Sequence, residues 1–207
     1  MPDELLGREK IELSIPEIAR TYANKTVMVT GAGGSIGSEL CRQLLDCKPA
    51  RIVMFERSEF AVFQIDQDIR PLAKLHGIDI STKLGSVTDA ARVRNLIKEE
   101  GVEIIVHAAA CKHVPLVEDK PLEGARNNVL GTQVVADAAR ALNVERFILV
   151  STDKAVRPAN IMGATNGWLN LSCRICNHAV MAPTIRWFGL AMFWVRRVRS
   201  CRCFKSR

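Results

Sequence analysis

The passage from TVMVT (26–30) into GAGGSIGSEL (31–40) constrains this chain more than any other, because an apolar run ends without a spacer in a glycine-rich turn that opens a helical pattern. Gly31, Gly34 and Gly37 recur at every third position. Glycine lets the backbone turn tightly and come close to a ligand, and it lets the following helix seat against the strand. The first-turn amides of that helix and its positive dipole end then face whatever binds at the turn. Such a unit predicts an α/β sheet whose first crossover holds an anion.

The rest of the chain repeats the alternation. RIVMF (51–55), VEIIVHAA (102–109) and RFILVST (146–152) read as further strands, with a weaker one near IDISTKL, and helical patterns occupy 35–47, 58–74, 89–100 and 121–142. Ser14 and Glu17 have capping-box spacing with Pro16 in the first turn, which predicts a short leading helix within residues 1–25. Continuous apolar strands between amphipathic helices predict a parallel sheet covered on both faces, and right-handed crossovers make it a doubly wound, Rossmann-type α/β domain over residues 26–165.

In such a domain the glycine turn cradles a dinucleotide pyrophosphate, with the amides of Ser35, Ile36 and Gly37 at the helix start. Glu56 ends the second strand about twenty residues after Gly37, where a carboxylate accepts from the adenosine ribose hydroxyls. That carboxylate favours NAD over NADP, while Arg57 beside it leaves NADP open.

Charge divides the chain at Thr165. The formal charge is +7, from 29 Lys and Arg against 22 Asp and Glu, yet 21 of the bases and every acid precede residue 166. Residues 166–207 hold the other eight bases, all three Trp and four of the seven Cys. An odd, scattered cysteine count and an acidic start without an apolar run predict reduced thiols and a cytoplasmic protein. The longest apolar tail run, WFGLAMFWV, is too short to span a bilayer.

Four stretches, VMVTGAGGSIGSEL, HAAACKHVPLVE, NNVLGT and STDKAVRPANIMGAT, resemble the UDP-N-acetylhexosamine 4,6-dehydratases of bacterial polysaccharide biosynthesis, which are extended short-chain dehydrogenase/reductases. The resemblance runs from about LLGRE to Thr165. It implies a bound nicotinamide that takes hydride from sugar C4, loss of water across C5 and C6, and return of hydride to C6. Matched residue by residue, Thr152, Asp153 and Lys154 fall at the family's site, with Asp153 and Lys154 as candidates for the C5 proton and the departing hydroxyl. Met162 stands where most of the superfamily has a tyrosine base, a substitution normal in one branch of these dehydratases. Lys112 and His113 would face the substrate or simply furnish their loop. Ala108, Ala109 and Asn128 complete the candidate cofactor set, Asn128 as a brace from the middle helix. The intact family implies a UDP-N-acetylhexosamine substrate and allows a homo-oligomer.

The lysine expected four residues after Met162 is Asn166. One base lost from a lysine codon followed by CGG yields NGWLN in place of K-R-M-A-E, and RWFGLAMFWVRRVRSCRCFKSR back-reads in the other frame as a family-like continuation. Residues 166–207 are therefore expected to be a frameshift product without native packing, leaving the domain without its C-terminal half and substrate domain. On that reading Cys173, Cys176, Cys201, Cys203 and His178 form no metal site, and the basic tail recognises no specific nucleic acid.

Overall fold

The computed structural model describes residues 16–152, 155, 158–167, 186–188 and 191–197. Five strands, β1 (Thr26–Thr30), β2 (Arg51–Glu56), β3 (Asp79–Leu84), β4 (Ile104–His107) and β5 (Arg146–Thr152), lie parallel. After α1 (Pro16–Tyr22), the crossovers carry α2 (Ser35–Asp46), α3 (Glu59–His76) and α4 (Ala90–Glu99). Between β4 and β5 come α5 (Val114–Asp119), α6 (Pro121–Ala125), a π-helical turn (Arg126–Leu130) and α7 (Gly131–Ala141). The order β3-β2-β1-β4-β5 reverses the direction of growth between β1 and β4. In open α/β sheets the crevice at that reversal, outside the strand C-termini, is where ligands bind.

The period-2 alternation of the strands builds two cores. Val27, Val29, Ile52, Met54, Ile104 and Val106 pack with Cys41, Leu44, Ile65 and Ile69 of α2 and α3. The intervening Met28, Val53, Phe55, Ile105 and Leu149 pack on the other face with Val93 and Leu96 of α4 and Val135 and Ala138 of α7. Each large side chain buried here contributes about 1.5 to 3 kcal/mol, so the continuous apolar strands follow from burial on both faces. Helix ends obey local chemistry. Ser58 Oγ accepts from the Ala61 amide at the start of α3, Gly77 closes that helix at φ 68°, and Asp89 caps α4 through the Arg92 amide. Ser14, expected to cap α1, lies outside the described residues.

Residues 161–167 form a helix, α8, which runs through the anticipated junction at Thr165. Beyond it, β7 (Ala191–Arg197) pairs antiparallel with β5 from Arg146↔Arg197 to Thr152↔Ala191, and β6 (Arg186–Phe188) pairs outside β7. A bare five-stranded half would leave the N–H and C=O groups of β5 unpaired along an edge. The run AMFWVRR, rich in strand-forming residues, supplies the missing partners.

Candidate dinucleotide-binding site

At the sheet reversal, β1 ends in the glycine turn. Gly31 takes φ 69°, donates its amide to Phe55 O at 2.8 Å, and lies so close to the β4 loop that a methyl there would sit 2.7 Å from Ala109 Cα. A methyl on Gly37 would collide with the Gly31 carbonyl, so that glycine seats α2 against the turn. Gly34 is different. It is the N-cap of α2 without any side-chain cap, and a methyl there would meet only Gly31 O, at 3.3 Å. The first-turn amides of Ser35, Ile36 and Gly37 thus begin a helix that no side chain caps among the described residues.

A cleft of about 250 Å³ opens beside this turn, walled by Gly31, Gly34, Glu56, Arg57, Ala108 and Ala109. The Glu56 carboxylate is held in place by three backbone amides: Gly33 at 3.2 Å, Arg57 at 2.8 Å and Ser58 at 3.0 Å. A carboxylate offers about four acceptor positions. One therefore stays open to a ligand hydroxyl. The sequence pointed to Glu56 but missed Gly33, which ties the carboxylate to the turn, and missed Gly85, Ser86 and Val87, which form the wall after β3. The glycine and the Ser86 hydroxyl that bonds the Thr88 amide at 3.2 Å were the available turn signal.

Asn128 is fully buried inside the π-helical turn. Its Oδ1 accepts from the Cys111 amide at 2.8 Å, and its Nδ2 donates to Cys111 O at 3.2 Å and to Thr165 Oγ1 at 3.3 Å. The expected brace is thus a bridge between the loop after β4 and α8. π-Helical turns of this kind recur at functional sites.

Lys112 Nζ donates to Ser35 Oγ at 2.8 Å, so its ammonium lies over the start of α2, and His113 is exposed at the N-cap of α5. Thr152 ends β5, whereas Asp153 and Lys154 lie outside the described residues. Just before Thr152, buried Ser151 Oγ has no hydrogen-bond partner among the described residues. Met162 is buried on α8, and the Asn166 carboxamide folds back on it, donating to Met162 O at 2.9 Å and meeting its Sδ at 3.4 Å.

The glycine cradle, the uncapped helix start and the fixed carboxylate fit a dinucleotide. No cluster of His, Cys, Asp or Glu able to hold a metal occurs among the described residues, and the tail cysteines lie outside them. Nor is any described helix long and apolar enough to cross a membrane.

Fold and cleft together define a doubly wound, Rossmann-type α/β domain with an open crevice at the sheet reversal. Pen from Bacillus thuringiensis superimposes with a TM-score of 0.70 at 28% identity, covering 76% of this chain and 46% of that one. A UDP-glucose 4-epimerase from Bifidobacterium longum, solved with NAD+ and UDP, shares the fold with a TM-score of 0.63 at 21% identity, over 73% of this chain and 49% of that one. The chain belongs to the polysaccharide biosynthesis protein family, which matches residues 27–192. Capsular polysaccharide biosynthesis protein CapD of Staphylococcus aureus is 44% identical over 165 residues, which are 79% of this chain and 27% of that protein. UDP-N-acetylglucosamine 4,6-dehydratase (inverting) of Campylobacter jejuni is 34% identical over 145 residues, 70% of this chain and 41% of the enzyme. The chain therefore spans well under half the length of these curated relatives.

Proposed function

We propose that this chain is the cofactor-binding part of an NAD-dependent UDP-N-acetylhexosamine 4,6-dehydratase, and that with Asn166 it binds dinucleotide without turning over the sugar. The observation that carries the reading is Glu56, whose carboxylate is fixed by the amides of Gly33, Arg57 and Ser58 at the wall of the cleft. A fixed negative charge there receives a ribose diol and repels a 2′-phosphate, which favours NAD. Similarity to a named 4,6-dehydratase supports the reaction class, and similarity to an epimerase that holds NAD+ and UDP supports the ligand class.

In this reading bound nicotinamide supplies a reversible hydride acceptor. The chain's own residues do the rest. The turn at Gly31 and Gly34 and the α2 amides receive the pyrophosphate, Glu56 orients the adenosine ribose, and Asn128 holds the wall formed by the loop after β4. Asp153 and Lys154, just after Thr152 at the end of β5, handle the C5 proton and the departing C6 hydroxyl, and one of them takes the base duty that Met162 cannot.

Asn166 argues against turnover in this chain. Its carboxamide is spent on Met162 one turn back, where a lysine would extend an ammonium toward the cofactor ribose. We propose further that residues 166–207 are read out of frame, as the confinement of every carboxylate to the residues before 166 supports; the codon at 166 in the gene decides this.

The test is NAD titration of the full chain together with an assay for 4-keto sugar from UDP-N-acetylglucosamine. NAD should bind without product, and Asn166→Lys should tighten NAD about tenfold or more, the worth of one charge-assisted hydrogen bond. A folded chain blind to NAD, or one that forms the 4-keto sugar, overturns the proposal.

A further inference from the structure

His107 is the largest buried polar side chain among the described residues, and nothing in the proposed chemistry uses it. It ends β4 at 1% exposure, in register with Thr30, the last residue of β1. Its Nδ1 shares a hydrogen bond with Thr30 Oγ1 at 2.7 Å and its Nε2 shares one with Thr132 Oγ1 at 2.8 Å. Thr30 and Thr132 are themselves buried. A neutral imidazole has one donor and one acceptor nitrogen, and each hydroxyl can complement either, so both ring nitrogens are satisfied. The ring also stacks on Phe147 at 5.8 Å between centroids.

The two threonines are not interchangeable neighbours. Thr30 leads directly into Gly31, the pivot of the phosphate turn. Thr132 stands on α7 four residues after Asn128, and Asn128 bonds the backbone of Cys111, four residues after His107. One face of the α6–α7 helix therefore grips the strand end and its loop twice, Thr132 on 107 and Asn128 on 111. Between the two grips lie Ala108, Ala109 and Ala110, which have no side chains able to anchor themselves and which wall the cleft.

We propose that His107 and Thr132 are positioning residues for dinucleotide binding: the Thr30–His107–Thr132 bridge fixes the spacing between the phosphate turn and the alanine wall facing it. The inference rests on the dinucleotide reading of the cleft. Thr132 does not line that cleft, so its effect on ligand passes through His107. Removing the hydroxyl leaves a ring nitrogen buried without a partner, and the ring must shift or recruit water to satisfy it.

The test compares Thr132→Ser with Thr132→Ala in the full chain, two small residues that α7 accommodates and that differ by one hydroxyl. Thr132→Ala should weaken NAD about tenfold, the worth of a buried hydrogen bond, and Thr132→Ser should restore affinity to near that of the unaltered chain. A general loss of stability does not imitate this result, because Leu96→Ala, which opens a cavity in the α4 core away from the cleft, should lower the melting temperature and leave NAD affinity unchanged. Equal NAD affinities for the Ser and Ala variants overturn the proposal. Amide hydrogen exchange at Ala108 and Cys111 reads the clamp without any ligand: faster exchange in the Ala variant alone supports it, and equal exchange in both overturns it. If the unaltered chain does not bind NAD, the functional reading fails, and the exchange experiment still decides the clamp.

Discussion

The two ends of the parallel strands are built from opposite chemistry. Where the strands begin, side-chain charges satisfy one another: Lys25 Nζ reaches Glu103 at 2.7 Å and Glu145 at 3.1 Å, while Arg51 reaches Asp79 at 2.6 Å and Glu100 at 3.2 Å. Where the strands end, small residues, Gly31, Gly33, Gly34, Ala108 and Ala109, form much of the wall beside Glu56 and Arg57, and α2 starts without a side-chain cap among the described residues. Charge at the first end is consumed in holding neighbouring strands together. At the second end the α2 start has no side-chain cap among the described residues, and Glu56 keeps one acceptor position for a ligand. The difference shows how one sheet separates stability from binding: charged side chains pair across neighbouring strands at one rim, while at the other small residues leave a cleft open beside Glu56 and Arg57.

Gly34→Val strikes the binding rim hardest. A Cβ at 34 meets only Gly31 O, at 3.3 Å, a tight contact that the turn must relieve by a few tenths of an ångström, while the valine methyls add bulk where a phosphate would approach the α2 amides. NAD affinity should fall on the order of a thousandfold, equivalent to two or three charge-assisted hydrogen bonds at about 1.5 to 3 kcal/mol each. Titration with the unfolding midpoint measured in parallel checks this. A variant that keeps NAD affinity shows that the small-residue rim is only packing.

His107, just inside the binding rim, predicts an acid sensitivity that begins at a higher pH than that of the stitched rim. Burial pulls its pKa from the usual 6.5 down to about 4. The unfolded chain therefore binds a proton that the folded chain refuses between those values, so stability rises with pH across the window, is complete above about 6.5 and is lost below about 4. The change is on the order of 3 kcal/mol, since each tenfold difference in proton affinity between the folded and unfolded chain is worth about 1.4 kcal/mol. Denaturant titrations across that window should show the slope, and His107→Gln, which does not titrate, should remove it from whatever stability remains. A slope unchanged in His107→Gln assigns the acid sensitivity elsewhere.

What the sequence disclosed follows the range of the forces involved. Periodic burial announced all five parallel strands, and the glycine spacing with a strand-end carboxylate announced the cleft, because each signal is carried by a few consecutive residues. Gly33 was obscured by its own neighbours: three-residue spacing selects Gly31, Gly34 and Gly37, whereas the amide that holds Glu56 belongs to the glycine outside that series. His107 was hidden inside an apolar run, since its partners Thr30 and Thr132 are 77 and 25 residues away in sequence. Lys112 was assigned by its loop alone, and only the folded chain brings it to Ser35, 77 residues earlier. The pairing of β7 was not announced, because its strand-forming run AMFWVRR does not name the partner, which is the edge of β5 about 45 residues earlier.

The smallest effect belongs to the stitched rim. Bonds to Glu103 and then Glu145 raise the Lys25 pKa, while Glu103, opposed by its own burial, is held below the ordinary carboxylate value by Lys25 and by the Thr26 amide. Lys25 therefore stabilises the fold below its unfolded pKa of about 10.5 and loses that contribution as pH rises through its higher folded value. Glu103 does the converse, losing its contribution as pH falls below about 4.5 and through its depressed folded value. The pair is thus complete between those limits, but its side chains are 33% and 40% exposed, so solvent screens it. Lys25→Ala at neutral pH should cost under about 1 kcal/mol, less in high salt, as exposed pairs do. It should also leave NAD affinity within about twofold, since mutations at distant sites without shared partners act independently. If Lys25→Ala instead weakens NAD as much as Thr132→Ala does, the two rims are coupled through the strands and the division of labour between them does not hold.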